Sequence, residues 1–192
     1  YCAGLDSGSS RIYRFANSSG VVLGRIFGHG GDSVPTQLGE LETSQALHTR
    51  GRSIVERYWG RYVAFLADPT SNTTLVWRSP TGEIDALSTD VGGLRLYVSG
   101  TEHFPLTSLR RFSINWNYVA SELATLLSET RETGLVEVTR VLRGECIVHD
   151  EARIDRTFLW NPVDIAREPP ITDPELAARE LRRVTGDCLN AW

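Results

Sequence analysis

Residues 58–82, YWGRYVAFLADPTSNTTLVWRSPTG, contain two β-strand patterns separated by a turn. Residues 62–66 and 74–77 are rich in β-branched and aromatic side chains, which favour strands. Between them, the DPTSN segment at 68–72 favours a loop, because proline fixes φ and short polar side chains bond to nearby backbone. The stretch therefore predicts a β-hairpin with a loop of about five residues.

Both strands of this hairpin are apolar with little alternation, so we expect them to be central strands covered on both faces. Around them the patterns predict a mixed α+β domain with several antiparallel strands. Further strands are predicted at 11–15, 21–27, 84–87, 94–99, 135–141, 145–149 and 154–159. Helices are predicted at 39–58, with a break near Gly51, and at 115–131.

The composition excludes several functional classes. The chain has 192 residues, 41% of them hydrophobic, so one domain with a substantial core is the simplest interpretation. A net charge of −4 with both signs interspersed argues against nucleic-acid binding. No apolar run reaches the roughly 18 to 20 residues that cross a bilayer, and no signal pattern precedes the domain, which predicts a cytoplasmic protein without membrane contact.

The reactive residue types are few and scattered. All 20 basic residues are arginine, which excludes a lysine Schiff base or a phosphate-loop lysine in these residues. Cys2, Cys146 and Cys188 are far apart, and neither they nor the four histidines have the spacing of a zinc site. We therefore predict no metal site and no disulfide framework.

The hairpin region also resembles a known family. W-G-R-Y-V-A-F at 59–65, Asp68 and R-S-P-T-G at 78–82 resemble the l-x-G-x-F-A-F … D … R-D-x-x-G signature of the N-terminal, glutaminase-type domain of asparagine synthetases. The segment W-G-R-Y-V-A-F-L at 59–66 is most similar to the synthetase-like cyclases that close lasso peptides in bacteria. L-Y-V-S at 96–99 and R-G-E at 143–145 match further family motifs in the same order. The resemblance covers residues 21–148.

This resemblance implies an αββα sandwich of two mainly antiparallel sheets, of the N-terminal-nucleophile (Ntn) hydrolase type, for residues 1–160. Residues 161–192 would then form a linker and a helix that lead into an ATP-dependent synthetase domain. Pro162 and the pair at 169–170 are typical of a linker, and Asp173 followed by proline is typical of a helix start. Apolar residues then recur at helical spacing and should face a partner. They are Ala177, Leu181, Val184 and Cys188.

In the glutaminase domains that this chain resembles, the nucleophile is an N-terminal cysteine. Cys2 is the corresponding catalytic candidate, but Tyr1 precedes it and carries the α-amine that would act as the base. Cys2 would therefore need removal of Tyr1 to work. The alternative is that Cys2 is a small buried hydrophobic residue on a first strand.

Two substrate-binding candidates follow from the same resemblance. V-V-L-G-R-I-F at 21–27 resembles v-v-N-G-E-I-Y, whose asparagine and glycine form the oxyanion hole. Gly24 matches, but Leu23 replaces the asparagine and cannot donate a hydrogen bond, a loss that costs roughly a hundredfold or more in rate. Glu42 is nearest to the family's aspartate that contacts the substrate amine; the alternative is a helix-start glutamate that interacts with the helix dipole.

The resemblance thus predicts a degenerate glutaminase-like domain of an asparagine-synthetase-like, ATP-dependent amide-forming ligase of the lasso-peptide cyclase type. ATP and Mg²⁺ would bind the synthetase domain, and these residues would hold no cofactor. The implied partners are that synthetase domain, the precursor peptide and a second copy of the chain. Two alternatives stay open, an active Cys2-dependent glutamine amidotransferase and a non-catalytic module for peptide binding or dimerisation.

Overall fold

The computed structural model describes residues 11–29, 34–99, 110–125, 129–150 and 153–192. Within these ranges the chain is an α+β fold with two antiparallel sheets and five α-helices. The strands are β1 (Arg11–Arg14), β2 (Gly20–Gly28), β3 (Tyr58–Asp68), β4 (Thr73–Arg78), β5 (Leu87–Val91), β6 (Leu94–Val98), β7 (Thr139–Arg140), β8 (Glu145–His149) and β9 (Ile154–Phe158). The helices are α1 (Glu40–His48), α2 (Arg52–Arg57), α3 (Trp116–Thr125), α4 (Pro162–Ala166) and α5 (Pro174–Ala191).

The predicted hairpin is confirmed and forms the centre of the larger sheet. This sheet has six strands in the order β1-β2-β3-β4-β8-β9, and β3 pairs with β4 in antiparallel register. In the loop between them, the Asp68 carboxylate accepts hydrogen bonds from the Thr70 N–H at 2.9 Å and from the Ser71 hydroxyl at 2.7 Å. β3 begins earlier than predicted, at Tyr58, because its first half pairs with β2.

Both faces of the central strands are covered, as their apolar composition predicts. Alternate residues point to opposite faces of a strand, and here they join two separate clusters. One cluster lies against α1 and α2 and contains, among others, Val22, Tyr62, Ala64, Leu66, Leu75, Trp77, Cys146, Ala46 and Ile54. The other lies on the side of the second sheet and contains Val63, Val76, Ile147, Ala86 and Val141, with Phe65, Ile84 and Tyr97 at its margin.

The helical segment before β3 is broken where predicted. α1 and α2 are separated by Gly51, which has a φ of 91° and donates its N–H to the Ala46 carbonyl at 2.7 Å. A Cβ at this position would lie 3.1 Å from Cδ2 of Trp77. Glycine thus supplies both the left-handed conformation and the close approach of the helices to the sheet.

The second sheet has the order β6-β5-β7. β5 and β6 form a hairpin closed by Gly92 and Gly93, with φ values of 59° and 82°. The prediction of a strand at 84–87 is wrong, since β5 covers Leu87–Val91. The carbonyls of Gly82 and Ile84 instead accept hydrogen bonds from the Arg78 guanidinium. This segment is therefore a loop fastened to β4.

The C-terminal part is helical. The segment predicted as a linker contains α4, whose first turn is capped by the Asn161 side chain accepting from the Val163 N–H at 3.0 Å. The predicted start of α5 is confirmed, because the Asp173 carboxylate accepts from the N–H groups of Glu175 and Leu176. No residue of α5 is buried. In the described ranges, no helix combines the length and the hydropathy needed to cross a bilayer.

Candidate functional site

An open cleft of about 370 Å³ lies where β2 ends and β3 begins. Gly28 and Tyr58, which are Cα partners at the last position of the β2–β3 ladder, both line it. Its other described lining residues are His29, Val34, Pro35, Glu42 and Arg57. The cleft therefore combines a carboxylate, a guanidinium, an imidazole and a phenol with an apolar wall.

Glu42, one of the predicted substrate-binding residues, lies in this cleft. It is the third residue of α1, and its Oε2 accepts from the N–H of Gly39, the residue that caps the helix, at 2.9 Å. Its Oε1 accepts from the Tyr58 hydroxyl at 2.5 Å and from Arg57 Nη1 at 3.1 Å. Both carboxylate oxygens are thus already engaged, and the cleft holds a preformed Glu42–Arg57 ion pair.

The electrostatics of the pair follow from these contacts. Partial burial by itself raises the pKa of Glu42, but the hydrogen bonds from Tyr58, Gly39 and Arg57 outweigh it, so the pKa is lower than its ordinary value. Burial, followed by the bond to Glu42, raises the pKa of Tyr58 to about 12. At neutral pH the site therefore contains an ionised carboxylate and a protonated phenol that donates to it.

The remaining polar group of the cleft is the His29 ring. Its Nε2 lies 2.9 Å from the Glu56 carbonyl, so Nε2 carries the proton and donates to that oxygen. Among the described lining residues there is no serine, threonine or cysteine. The described lining can hold a small polar molecule by charge and hydrogen bonding.

Gly24, the other predicted substrate-binding residue, lies elsewhere. It is in the middle of β2, with Arg11 of β1 and Tyr62 of β3 as its Cα partners. Its φ is 131°, and a Cβ would lie 2.2 Å from the Arg61 carbonyl oxygen, so the backbone requires glycine here. Four residues of strand, about 13 Å, separate Gly24 from the cleft at Gly28. The structure does not bring Gly24 and Glu42 together, and the role of each in substrate binding stays a prediction.

The position next to Gly24 has an apolar environment. Leu23 is half-buried, and its Cα partners on the two neighbouring strands are Ile12 and Val63. None of these three side chains can donate a hydrogen bond. Cys2, the predicted nucleophile, lies outside the described residues.

A second polar contact, between the two sheets, could not be found from the sequence. The Tyr97 hydroxyl of β6 is hydrogen bonded to His149 Nε2 of β8, although 52 residues separate them. Burial first, and then the nearby guanidinium groups of Arg95 and Arg156, lower the pKa of His149. His149 is thus a neutral residue that links the sheets. In the sequence, no pattern around His149 and its neighbour Asp150 indicates that Tyr97 is the partner of the histidine.

We expect Glu42→Gln to lower the free energy of unfolding by about 1 kcal/mol at pH 7, because it removes the charge from a helix cap and from the Arg57 pair. The folded-state pKa of Glu42 is lowered, so its contribution is complete above the ordinary carboxyl pKa and is lost as pH falls through the lowered value. Urea unfolding of both proteins between pH 7 and pH 3 would measure this, in steps of about half a unit.

The control for this experiment is Glu168→Gln, because Glu168 is an exposed carboxylate between α4 and α5. It should change stability by less than about 0.5 kcal/mol throughout the range. A Glu42→Gln deficit that stays constant down to pH 3 would contradict a contribution from the ionised carboxylate.

Within the described residues, no group of three or more His, Cys, Asp and Glu side chains could hold a metal ion. A scan against protein-family models and a search of curated proteins found no match to the chain.

Proposed function

We propose that this chain is an Ntn-type, glutaminase-like domain that has lost ammonia release and serves as the N-terminal half of an ATP-dependent amide-forming ligase. The resemblance of residues 58–82 to asparagine synthetases, and above all to lasso-peptide cyclases, suggests this class. The motif segments become the paired strands β2, β3 and β4, in an α+β fold with two antiparallel sheets. Both features are compatible with an αββα sandwich.

The observation that carries the proposal is the environment of Leu23. In the family motif that residues 21–27 resemble, this position is the asparagine whose amide stabilises the oxyanion during glutamine hydrolysis. Here a leucine lies between Ile12 and Val63, and the neighbouring Gly24 is enclosed by backbone of β3 and by the Ile84 side chain. An oxyanion that lacks a donor in a low-dielectric site is poorly stabilised, and the expected loss is roughly a hundredfold or more.

A ligase of the cyclase type does not need ammonia. Its synthetase domain would adenylate a carboxylate with ATP and Mg²⁺, and the peptide's own N-terminal amine would displace AMP. The domain described here would then bind rather than react. We propose the synthetase domain as its partner, packed against the exposed apolar side chains of α5, and the precursor peptide as a further ligand; a second copy of the chain is the alternative occupant of that helix face.

The first test measures ammonia release from L-glutamine by the chain and by Cys2→Ala, after the N-terminal residue of each preparation has been identified. We expect both proteins to give the same background rate, including a preparation that begins at Cys2. Release that depends on Cys2 would overturn the proposal and favour a working amidotransferase.

The second test uses the product of the complete native gene. Incubated with ATP, Mg²⁺ and its precursor peptide, it should form an amide and release AMP and pyrophosphate without glutamine. Amide formation that requires glutamine, or its complete absence with every peptide encoded beside the gene, would overturn the ligase assignment. The second of these results would favour a non-catalytic binding module.

A further inference from the structure

Two arginines face each other on the central strands of the large sheet. Arg25 of β2 and Arg61 of β3 are Cα partners, so their side chains leave the sheet side by side on the same face. Like charges directly opposite each other destabilise a sheet. Arg61 has an acidic neighbour, since its Nη1 lies 3.5 Å from Glu83 Oε2. In addition, an aromatic ring that can attract both cations lies over the two guanidinium groups.

That group is the indole ring of Trp192. The guanidinium carbon of Arg25 lies 5.3 Å from the ring centroid, and that of Arg61 lies 5.0 Å from it. Both distances are within the roughly 6 Å range of cation–π attraction, in which the negative face of the ring attracts the cation. Phe27 completes the contact with an edge-on approach to Trp192 at 5.2 Å and 66°.

The surface that receives the ring is itself supported. Phe27 and Trp59 are Cα partners with ring centroids 4.7 Å apart, and the Trp59 indole N–H donates to the Gly28 carbonyl at 3.2 Å. The Arg25 guanidinium also lies over the Phe27 ring, at 5.2 Å. Arg25, Phe27 and Arg61, which we term the arginine clamp, are thus held by the pairing of β2 with β3.

Trp192 directly follows α5 and is itself 49% exposed. Leu181 and Leu189 are 70% and 75% exposed, and no residue within α5 is buried. The helix is 18 residues long, about 27 Å, so a contact at its last turn can set the direction of the whole element. The Trp192 ring is therefore a point at which the end of α5 contacts β2 and β3.

We propose that the arginine clamp is a binding site for an aromatic side chain, and that Trp192 occupies it in cis to anchor the C-terminal helix to β2 and β3. The anchored end leaves the apolar side chains of α5 accessible and fixes the direction in which they point. β2 and β3 pair at nine consecutive positions, so the helix is fastened to the longest ladder of the described sheets. This inference does not depend on the proposed function.

The test is hydrogen–deuterium exchange of the amides of α5 in the whole chain. Trp192→Ala should speed exchange of residues 176–191 roughly fivefold or more, since the loss of about 1 kcal/mol of cation–π attraction corresponds to that factor. Trp192→Phe keeps an aromatic ring and should retain most of the protection. Leu189→Ala, an exposed apolar change in the same helix, should alter exchange less than about twofold.

Because Trp192 adjoins the helix, its replacement could also fray α5 locally, so the decisive variants are on the sheet. Arg25→Gln and Arg61→Gln should each speed exchange in α5 while β8 keeps its protection. Combining either with Trp192→Ala should add little, because the partners act as one contact. Unchanged α5 exchange in both arginine variants, or full additivity with Trp192→Ala, would overturn the clamp. So would equal effects of Leu189→Ala and Trp192→Ala.

Discussion

Replacing Arg78 with methionine should lower the free energy of unfolding by about 3 to 5 kcal/mol, because it removes a buried, multiply bonded cation. Arg78 is 2% exposed at the end of β4. Its guanidinium donates to the carbonyls of Gly82, Ile84 and Val141. Methionine fills a similar volume and satisfies none of these acceptors, and each buried group left unpaired costs about 1 to 3 kcal/mol.

The arrangement around Arg78 explains why the effect should spread to the second sheet. Burial lowers the pKa of Arg78, and the carboxylates of Asp85 and Glu129, at 2.9 Å and 3.0 Å, oppose that effect and keep the group charged. Asp85 belongs to the loop before β5, and Val141 directly follows β7. The Arg78 side chain on the large sheet is therefore bonded both to the loop that leads into β5 and to the residue that follows β7 in the small sheet.

Urea unfolding at pH 7 would give the free-energy change, and hydrogen exchange would locate it. Arg143→Met is the matched control, because Arg143 pairs with the same Glu129, at 2.7 Å, but its side chain is 54% exposed. The control should cost no more than about 1 kcal/mol. Arg78→Lys should recover only part of the loss, since an ammonium cannot reproduce the planar fork. Equal costs for Arg78→Met and Arg143→Met would refute the role of Arg78 as the buried fastener.

Trp77→Ala should be comparably damaging on the opposite face of the sheet, at about 3 to 5 kcal/mol. Trp77 is fully buried between α1, α2 and the sheet, with Ala64 and Cys146 as its Cα partners. Its ring lies against the backbone of Gly51 and 6.1 Å from the Phe15 ring. Alanine would leave a large cavity, because the strands and the helix junction around it are held by backbone hydrogen bonds and collapse only in part.

The informative comparison is with Trp77→Phe. The indole N–H of Trp77 and the hydroxyl of Tyr62 are both buried and interact with each other, but neither makes a hydrogen bond of good geometry to a described residue. Phenylalanine keeps most of the apolar volume and removes this poorly bonded donor, so its cost should be well below that of alanine. Thermal and urea unfolding of both variants would measure the difference. A phenylalanine cost equal to the alanine cost would mean that the N–H makes a full hydrogen bond, to the Tyr62 hydroxyl or to an internal water.

Several elements could be predicted because their causes are local. The β3–β4 hairpin follows from two runs of β-formers around a proline-containing turn, and the break between α1 and α2 follows from Gly51. The start of α5 follows from Asp173 and the proline after it. Each of these features depends on residues within a few positions along the chain.

The wrong strand at 84–87 has a cause that strand composition does not show. These residues have the composition of a strand, but Arg78 binds the carbonyls of Gly82 and Ile84, and pairing in the second sheet starts only at Leu87. The strand-like composition of this segment does not show that the buried Arg78 guanidinium occupies backbone carbonyls that a strand would use for pairing. The contact between Glu42 and Tyr58 is a similar case, because the two residues are 16 positions apart and meet only when α1 packs at the start of β3.

The sequence alone determined the α+β class, the central hairpin and the broken helix, because each depends on residue type and near neighbours. Only the tertiary structure decided what the long polar side chains contact. Arg78 meets Val141, 63 residues away, and Trp192 meets Arg25 and Arg61. Such contacts depend on strand register and helix placement, which bring together groups that no local pattern relates.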